Sequence, residues 1–363
     1  MARTAITAAG LLVAVIVLYL LLWPVPIEPV AWHAPEDRGL VDPFGPDDRL
    51  AKARAIDLGP HAGPEDAAAG PDGGLYVTTD DGFVLRIDSH QTVTEFAHIG
   101  GRGLGIEAAP DGSLLVANAM LGLQRVGPDG TVAVLLDEVD DRPLVYANDL
   151  AIAPDGTVFL TESSTKFGPG PHRSTYETAV LDLIEHGGHG RVIEFSPATG
   201  RASVLIDGLN YANGIAISED RTYLLVADTG AYRVLRYWLA GPHAGDTEVV
   251  IDNLPGFPDN IKNGLNGRFW IGLSGPRNRA LDRLSGHPFL RKVVQRLPAS
   301  LRPKAFPSSH VFAITGDGEV LMNLRDPAAR YPALTGVLET RDTLFLTTLF
   351  GHALPYLPKS DLL

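Results

Sequence analysis

The chain has 363 residues, 45% of them hydrophobic and 20% charged, enough to bury a large core. A formal net charge of −13 speaks against a nucleic-acid-binding face, which would be basic. Cysteine is absent, which excludes disulfides, thiol nucleophiles and thiolate metal sites.

Residues 4–27 carry no charge, and residues 8–23 (AAGLLVAVIVLYLLLW) are almost wholly apolar. A membrane span needs about 20 such residues. Tyr19 and Trp23 fall towards the outer end, where amphipathic rings favour the interface. Arg3 precedes the run and Glu28, Glu36 and Asp37 follow it. The pattern predicts a membrane anchor over residues 1–27, N-terminus inside, with the bulk of the chain on the extracytoplasmic side. A cleaved signal peptide is the alternative, but only the proline-rich PVPIEP follows Trp23, with no small-x-small cleavage site. Residues 28–55 read as a linker rich in Pro and Asp.

From residue 56 one pattern recurs: a turn with Asp-Gly or similar, an apolar strand, a small-residue turn and another strand. Its copies are PDGGLYVTTDDGFVLRI from Pro71, PDGSLLVANAMLGLQRV from Pro110, PDGTVFLTESS from Pro154, SEDRTYLLVADTGAYRVLRYWL from Ser218, NGRFWIGLSG from Asn266 and RDTLFLTTLFGHALPYL from Arg341. Alternating β-rich runs joined by such turns are hairpins. Six copies of one unit predict an all-β fold, a six-bladed β-propeller over residues 56–363. Two stretches interrupt it. Residues 163–190 carry Lys166, His172, Arg173, Glu185, His186 and His189. Residues 280–301, within an insertion of about 276–308, place Leu281, Leu284, Phe289, Val293 and Leu297 at near-helical spacing, with Arg283, Arg291, Lys292 and Arg296 as the basic residues. The second stretch predicts a short helical lid or membrane-surface element. The alternative is a capping helix whose basic residues are solvated.

Glu65 and Asp66, Asn148 and Asp149, Asn213, and Asp259 and Asn260 each precede an apolar strand by a similar distance. Each is explicable alone as a turn residue. In a propeller, however, the innermost strands meet at a central channel, so a shared register brings them together. They offer only oxygens, the donor set a hard cation such as calcium prefers. Burying the carboxylates without a cation would be costly.

The stretches YANGIAISEDRTYLLVADT (residues 211–229), RVLRYWLAG (233–241) and LPGFPDNIK (254–262) resemble the superfamily of calcium-dependent six-bladed propellers that includes the paraoxonases, the gluconolactonases and the strictosidine synthase-like proteins, with the adipocyte plasma membrane-associated branch of the last group nearest. The resemblance implies that Glu65, Asn148, Asn213, Asp259 and Asn260 hold a central calcium. It also implies a second, buried calcium at Asp66, Asp149 and the backbone carbonyl of Ile106. It further implies hydrolysis of a small-molecule lactone or ester, with Asp259 as nucleophile or water-orienting base and Asn148 and Asn213 touching the substrate oxygen. Two departures limit it. Leu104 stands where paraoxonase-like members carry a channel histidine. Thr335 or Gly336 stands where the plant synthases carry a catalytic glutamate, with Glu339 out of register. His310 and His352 are outside candidates for proton transfer. The competing readings are a non-enzymatic propeller with structural calcium that binds a ligand or protein partner, and a strictosidine synthase-type carbon–nitrogen lyase. Oligomeric state is not legible in the sequence.

Overall fold

The computed structural model describes residues 2–170 and 172–362. Each copy of the turn–strand repeat lies in its own four-stranded antiparallel sheet, six in all. The sheets stand side by side around an axis as a six-bladed propeller. Their inner strands are Ala67–Ala69, Gly103–Ala108, Ala147–Ile152, Ala212–Ile217, Gly256–Asn263 and Leu334–Glu339, in blades 1 to 6. The Asp-Gly and related turns of the repeat close the first hairpin of each blade, which is why their count equals the blade count.

Blade 6 takes its outermost strand from the other end of the sequence. Arg54–Asp57 pairs antiparallel with Ala353–Pro358, Arg54 opposite Tyr356 and Asp57 opposite Ala353. The ring is thereby fastened by main-chain hydrogen bonds between its two ends, and the last blade is not left one strand short with an exposed edge.

Packing is between blades. Successive side chains of a strand point to opposite faces, so each blade feeds two interfaces. In blade 4, Leu224 and Val226 pack with Phe159 and Val192 of blade 3. Their neighbours Leu225 and Ala227 pack with Phe269 and Phe312 of blade 5. The same alternation gives a cluster at every other junction, including the junction of blades 6 and 1, where Ile56 and Leu354 meet Ala67, Val77 and Leu85.

Helix α1 (Ala2–Leu22) projects from this body. Its segment Thr4–Leu22 has mean hydropathy 2.7, long and apolar enough to cross a membrane, and is unburied in the fold. The chain then runs along one face of the propeller. Val30 N–H donates to Glu185 O at 2.9 Å and Trp32 N–H to Ser285 O at 3.1 Å. The Trp32 ring stacks on His186 with 3.9 Å between centroids. The 163–190 insertion forms α2 (Thr175–Glu185), begun by a reciprocal capping box between Ser174 and Glu177.

The 280–301 segment is broken into α3 (Arg279–Arg283) and α4 (Pro288–Arg296). Pro288 starts the second helix where its missing N–H costs nothing. The basic residues of α4 are not all on a solvated face. Arg291 is 1% exposed, and its guanidinium donates to the carbonyls of Ile184, Glu185, Val30 and Ser285. Arg296 is also buried and donates to Leu20 O and Trp23 O at the end of α1. Carbonyls left free at the ends of α1 and α2 and along the extended linker draw these arginines inward, and Phe289 and Leu290 are left exposed.

If the closing strand fastens the ring, truncating its one core residue should be costly. Ile56→Ala is expected to lower the unfolding free energy by about 2–5 kcal/mol, read from urea denaturation. A loss under about 0.5 kcal/mol, the size of an inert surface change, would mean that the strand does not bear on closure.

Candidate metal centre

The inner strands of blades 2 to 6 depart from regular pairing near their channel ends. The register slips between Gly103 and Ile106, Ala147 and Leu150, Ala212 and Ile215, and Pro258 and Ile261, one extra residue each time. Blade 6 slips between Leu334 and Gly336. A bulge re-aims the side chains it contains. Here it splits two consecutive residues into two layers. The first members, Glu65, Leu104, Asn148, Asn213 and Asp259, line the floor of a pocket of about 940 Å³. The second members, Asp66, Gly105, Asp149, Gly214 and Asn260, do not line it and are packed beneath. This lower layer is tight. A Cβ on Gly105 would lie 2.4 Å from Asp149 Oδ1, and one on Gly214 would lie 2.2 Å from Ile261 N.

The upper layer therefore brings together the side chains that the sequence set in one register. Asn260, though in the lower layer, reaches them: its Nδ2 donates to Glu65 Oε1 and to Glu65 O, each at 3.2 Å. Asn148 Nδ2 donates to Ser163 Oγ at 2.7 Å, and that hydroxyl donates to Ala212 O at 2.7 Å. Thr335 Oγ1 donates to Glu65 O at 2.6 Å. These bonds fix the amides so that their carbonyl oxygens are left over. Of ten buried side-chain N or O atoms without a hydrogen-bond partner among the described residues, four are Glu65 Oε2, Asn148 Oδ1, Asn213 Oδ1 and Asn260 Oδ1. All four are acceptors. Each buried, unsatisfied acceptor costs about 1–3 kcal/mol, so four at one place form a cradle suited to an electron-pair acceptor.

The electrostatics agree. Burial pushes the Glu65 carboxyl well above the usual carboxylate range, and the charges of Asp259 and Asp66 push it further. Burial raises Asp259 to about 7 against hydrogen bonds from Ser274 and Asn213. Carboxylates crowded in this way ionise readily only with a cation among them. No group of three or more His, Cys, Asp and Glu side chains is placed to hold a metal among the described residues. The channel-end cluster instead mixes two carboxylates with asparagine carbonyls, oxygens of the kind a hard cation uses.

In the lower layer the acids already have partners. Asp66 Oδ2 lies 2.7 Å from Lys262 Nζ, which also donates to Ile106 O at 2.8 Å and to Glu107 Oε1 at 2.6 Å. Asp149 accepts from Leu150 N at 2.8 Å and Ile215 N at 3.0 Å. Burial raises Asp66 to about 6 even though Lys262 opposes it. An ammonium thus meets Asp66 and Ile106, two of the groups expected to hold a second ion. Nothing about an isolated lysine in LPGFPDNIK marked this role. The signal was its place two residues after Asn260, on the same side of an extended strand.

Other residues stand where the sequence did not resolve them. Leu104 lies in an apolar cluster with Tyr146 and Tyr211 on the pocket wall. Glu339 is outside the pocket, held by Trp270 Nε1 at 2.8 Å and Lys359 Nζ at 2.5 Å. His310 and His352 do not line the pocket either. His310 Nε2 pairs with Asn323 Oδ1 at 2.6 Å, and His352 Nδ1 with His61 O at 3.0 Å. The upper wall comes from the insertions and from the N-terminal segment, through Ala179 and Leu183 of α2, Leu281 of α3, and Tyr19 and Trp23 at the end of α1.

The fold and the channel-end cluster define a six-bladed propeller with an acidic, amide-lined floor. The sequence model described as strictosidine synthase matches residues 148–242, and the strictosidine synthase-like N-terminal model matches residues 42–87. Protein strictosidine synthase-like 10 of Arabidopsis thaliana is 32% identical over 82% of this chain and 85% of that protein. The adipocyte plasma membrane-associated protein of Salmo salar is 30% identical over 98% of this chain and 89% of its own. The chain belongs to the strictosidine synthase-like family. Its fold is also that of a gluconolactonase from Xanthomonas campestris (TM-score 0.61, 18% identity, 92% of this chain and 98% of the other). A calcium-binding protein, regucalcin from Agrobacterium tumefaciens, is similar too (TM-score 0.58, 17% identity, 84% and 92%).

His310 carries a consequence of its own. Burial holds its imidazole down to about 4, whereas a free histidine takes up its proton near pH 6.5. Between those values the unfolded chain binds the proton that the folded one refuses, so stability is lost as pH falls. His310→Gln should flatten the fall in unfolding free energy between about pH 6.5 and 4, measured by urea titration at each pH. An unchanged slope would remove His310 from the acid response.

Proposed function

We propose that the chain is a membrane-anchored, calcium-dependent hydrolase of lactones or esters. Its calcium would be held by Glu65, Asn148, Asn213, Asp259 and Asn260. The observation that carries the reading is the set of four unpartnered acceptor oxygens on these residues: Glu65 Oε2, Asn148 Oδ1 and Asn213 Oδ1 on side chains that line the pocket, and Asn260 Oδ1 in the layer beneath it. The likeness to a gluconolactonase and to a calcium-binding regucalcin supports it.

Bound calcium would polarise a carbonyl oxygen and stabilise the oxyanion that develops on it. The chain's residues supply the rest. Asp259, which lines the pocket, would attack the carbonyl or orient and deprotonate water. Asn148 and Asn213 point their amides at the same space and align the substrate oxygen. Leu104, Tyr146 and Tyr211 exclude water from one side and accept an acyl or aryl group. A lyase reaction of the strictosidine synthase type lacks its glutamate, since Thr335 is tied to Glu65 O and Glu339 to Trp270 and Lys359.

A panel of lactones and aryl esters, assayed with calcium and with chelator, tests the reading. Asp259→Ala should cut turnover at least 100-fold, within the range of general acid–base contributions, while leaving the fold intact by circular dichroism. Calcium at 100 times its dissociation constant should add about 2.7 kcal/mol of stability, seen as a rise in melting temperature. A wild type inactive on the whole panel would sink the hydrolase, turnover that survives both the substitution and the chelator would sink the calcium- and Asp259-dependent mechanism, and a melting temperature indifferent to calcium would sink the metal centre.

Membrane attachment rests on the apolar helix and on exposed side chains near its end. Phe289 is 53%, Leu301 67% and Phe306 69% exposed, and Phe306 lines the pocket with Tyr19 and Trp23. Amphipathic segments of this kind lie in the interface. A chain without residues 1–18 but with Phe289 and Phe306 should still sediment with phospholipid vesicles. Changing both to serine should reduce the bound fraction several-fold. Equal binding of the two forms would remove the insertion from the membrane contact.

A further inference from the structure

We propose that Lys262 is a built-in cation: its ammonium fills the place beneath the primary centre where a second divalent ion would sit, so the chain binds one ion fewer than its carboxylates would otherwise demand.

The geometry of the lower layer carries this. Lys262 is 4% exposed, and an ammonium has three N–H donors and no acceptor. Three oxygens meet it at hydrogen-bonding distances: Asp66 Oδ2 at 2.7 Å, Ile106 O at 2.8 Å and Glu107 Oε1 at 2.6 Å. Two carboxylates and a backbone carbonyl are donors that a hard cation uses. The side chain starts on the inner strand of blade 5 and reaches groups on blades 1 and 2. It therefore spans the channel as an ion at its centre would.

The replacement changes how the site behaves without metal. A dissociable ion leaves when its concentration falls, whereas an ammonium on the chain stays. The lower layer also carries bonds that set the bulges above it. Asp66 Oδ2 accepts from Ile106 N at 2.8 Å, joining blade 1 to blade 2, and Asp149 Oδ2 accepts from Ile215 N at 3.0 Å, joining blade 3 to blade 4. With Lys262 balancing Asp66, these ties persist at any calcium level, and the upper-layer oxygens stay assembled while the primary cradle awaits its ion. Removing the ammonium exposes two carboxylates and a carbonyl around a space of ion size, so calcium should enter there.

The test counts ions. Wild type, Lys262→Ala and Lys262→Met are dialysed against millimolar calcium chloride, and bound calcium per folded chain is measured by mass spectrometry of the element. Lys262→Ala, which removes the charge and opens room, should bind one more ion per chain than wild type. Its melting temperature should fall in chelator and recover with calcium by more than that of the wild type. Lys262→Met, which fills the room without charge, should bind no extra ion and stay destabilised at every calcium level. An alanine variant with the same ion count as wild type overturns the proposal, as does one that millimolar calcium does not restore to a folded state, or a wild type that binds two ions. The count that decides is the difference between chains, so a wild type that binds no calcium would fail the proposed function separately.

Discussion

One constraint organises the channel: six inner strands converge on an axis, and each meets it with two consecutive residues, through a bulge in blades 2 to 6. In a regular strand, neighbours face opposite ways and only one would reach the axis. The extra residue lets one side chain face the pocket while the next turns beneath it. Two stacked layers result. The upper one, open to the pocket, carries Glu65, Asn148, Asn213 and Asp259. The lower one is closed, with Gly105 and Gly214 keeping it narrow. Chemistry and support are thus separated by a single peptide along each strand.

The two layers solve the same charge problem differently. Buried carboxylates repel one another and resist ionisation, which is why Glu65, Asp66, Asp149 and Asp259 all have raised proton affinity. The lower layer answers with Lys262. In the upper layer Glu65 has the Arg102 guanidinium as a favourable charge, yet oxygens are left unmatched. Asparagines in place of further acids keep that unmatched charge modest while raising the number of donors.

The sequence carried the blade count because the same turn opens every blade, and the register of the oxygen residues because each stands at the same place before that turn. It did not carry the bulges, whose only trace is a pair of adjacent polar or small residues in an apolar strand. Lys262 was equally silent: a lone lysine in a strand reads as solvated, and only the closed ring brings Asp66 and Ile106 to it. The insertion shows the opposite failure. Its periodicity predicts helix, and helix forms there in two pieces, but neither a lid nor a solvated cap foretells that the arginines serve the carbonyls of Ile184, Val30 and Trp23. Helical spacing locates faces; it does not say which face lacks hydrogen-bond donors.

The wall of the pocket is built in part from the end of the N-terminal helix, through Tyr19 and Trp23, and α4 grips that end with Arg296. The N-terminal helix and the pocket are therefore one piece of structure. Cleavage just after Trp23 would reach the pocket. It would strip two aromatic rings from the entrance and leave Arg296 without its carbonyls, so the cleaved form would present a wider, more cationic opening than the intact one. Processing at that bond would change what the pocket admits.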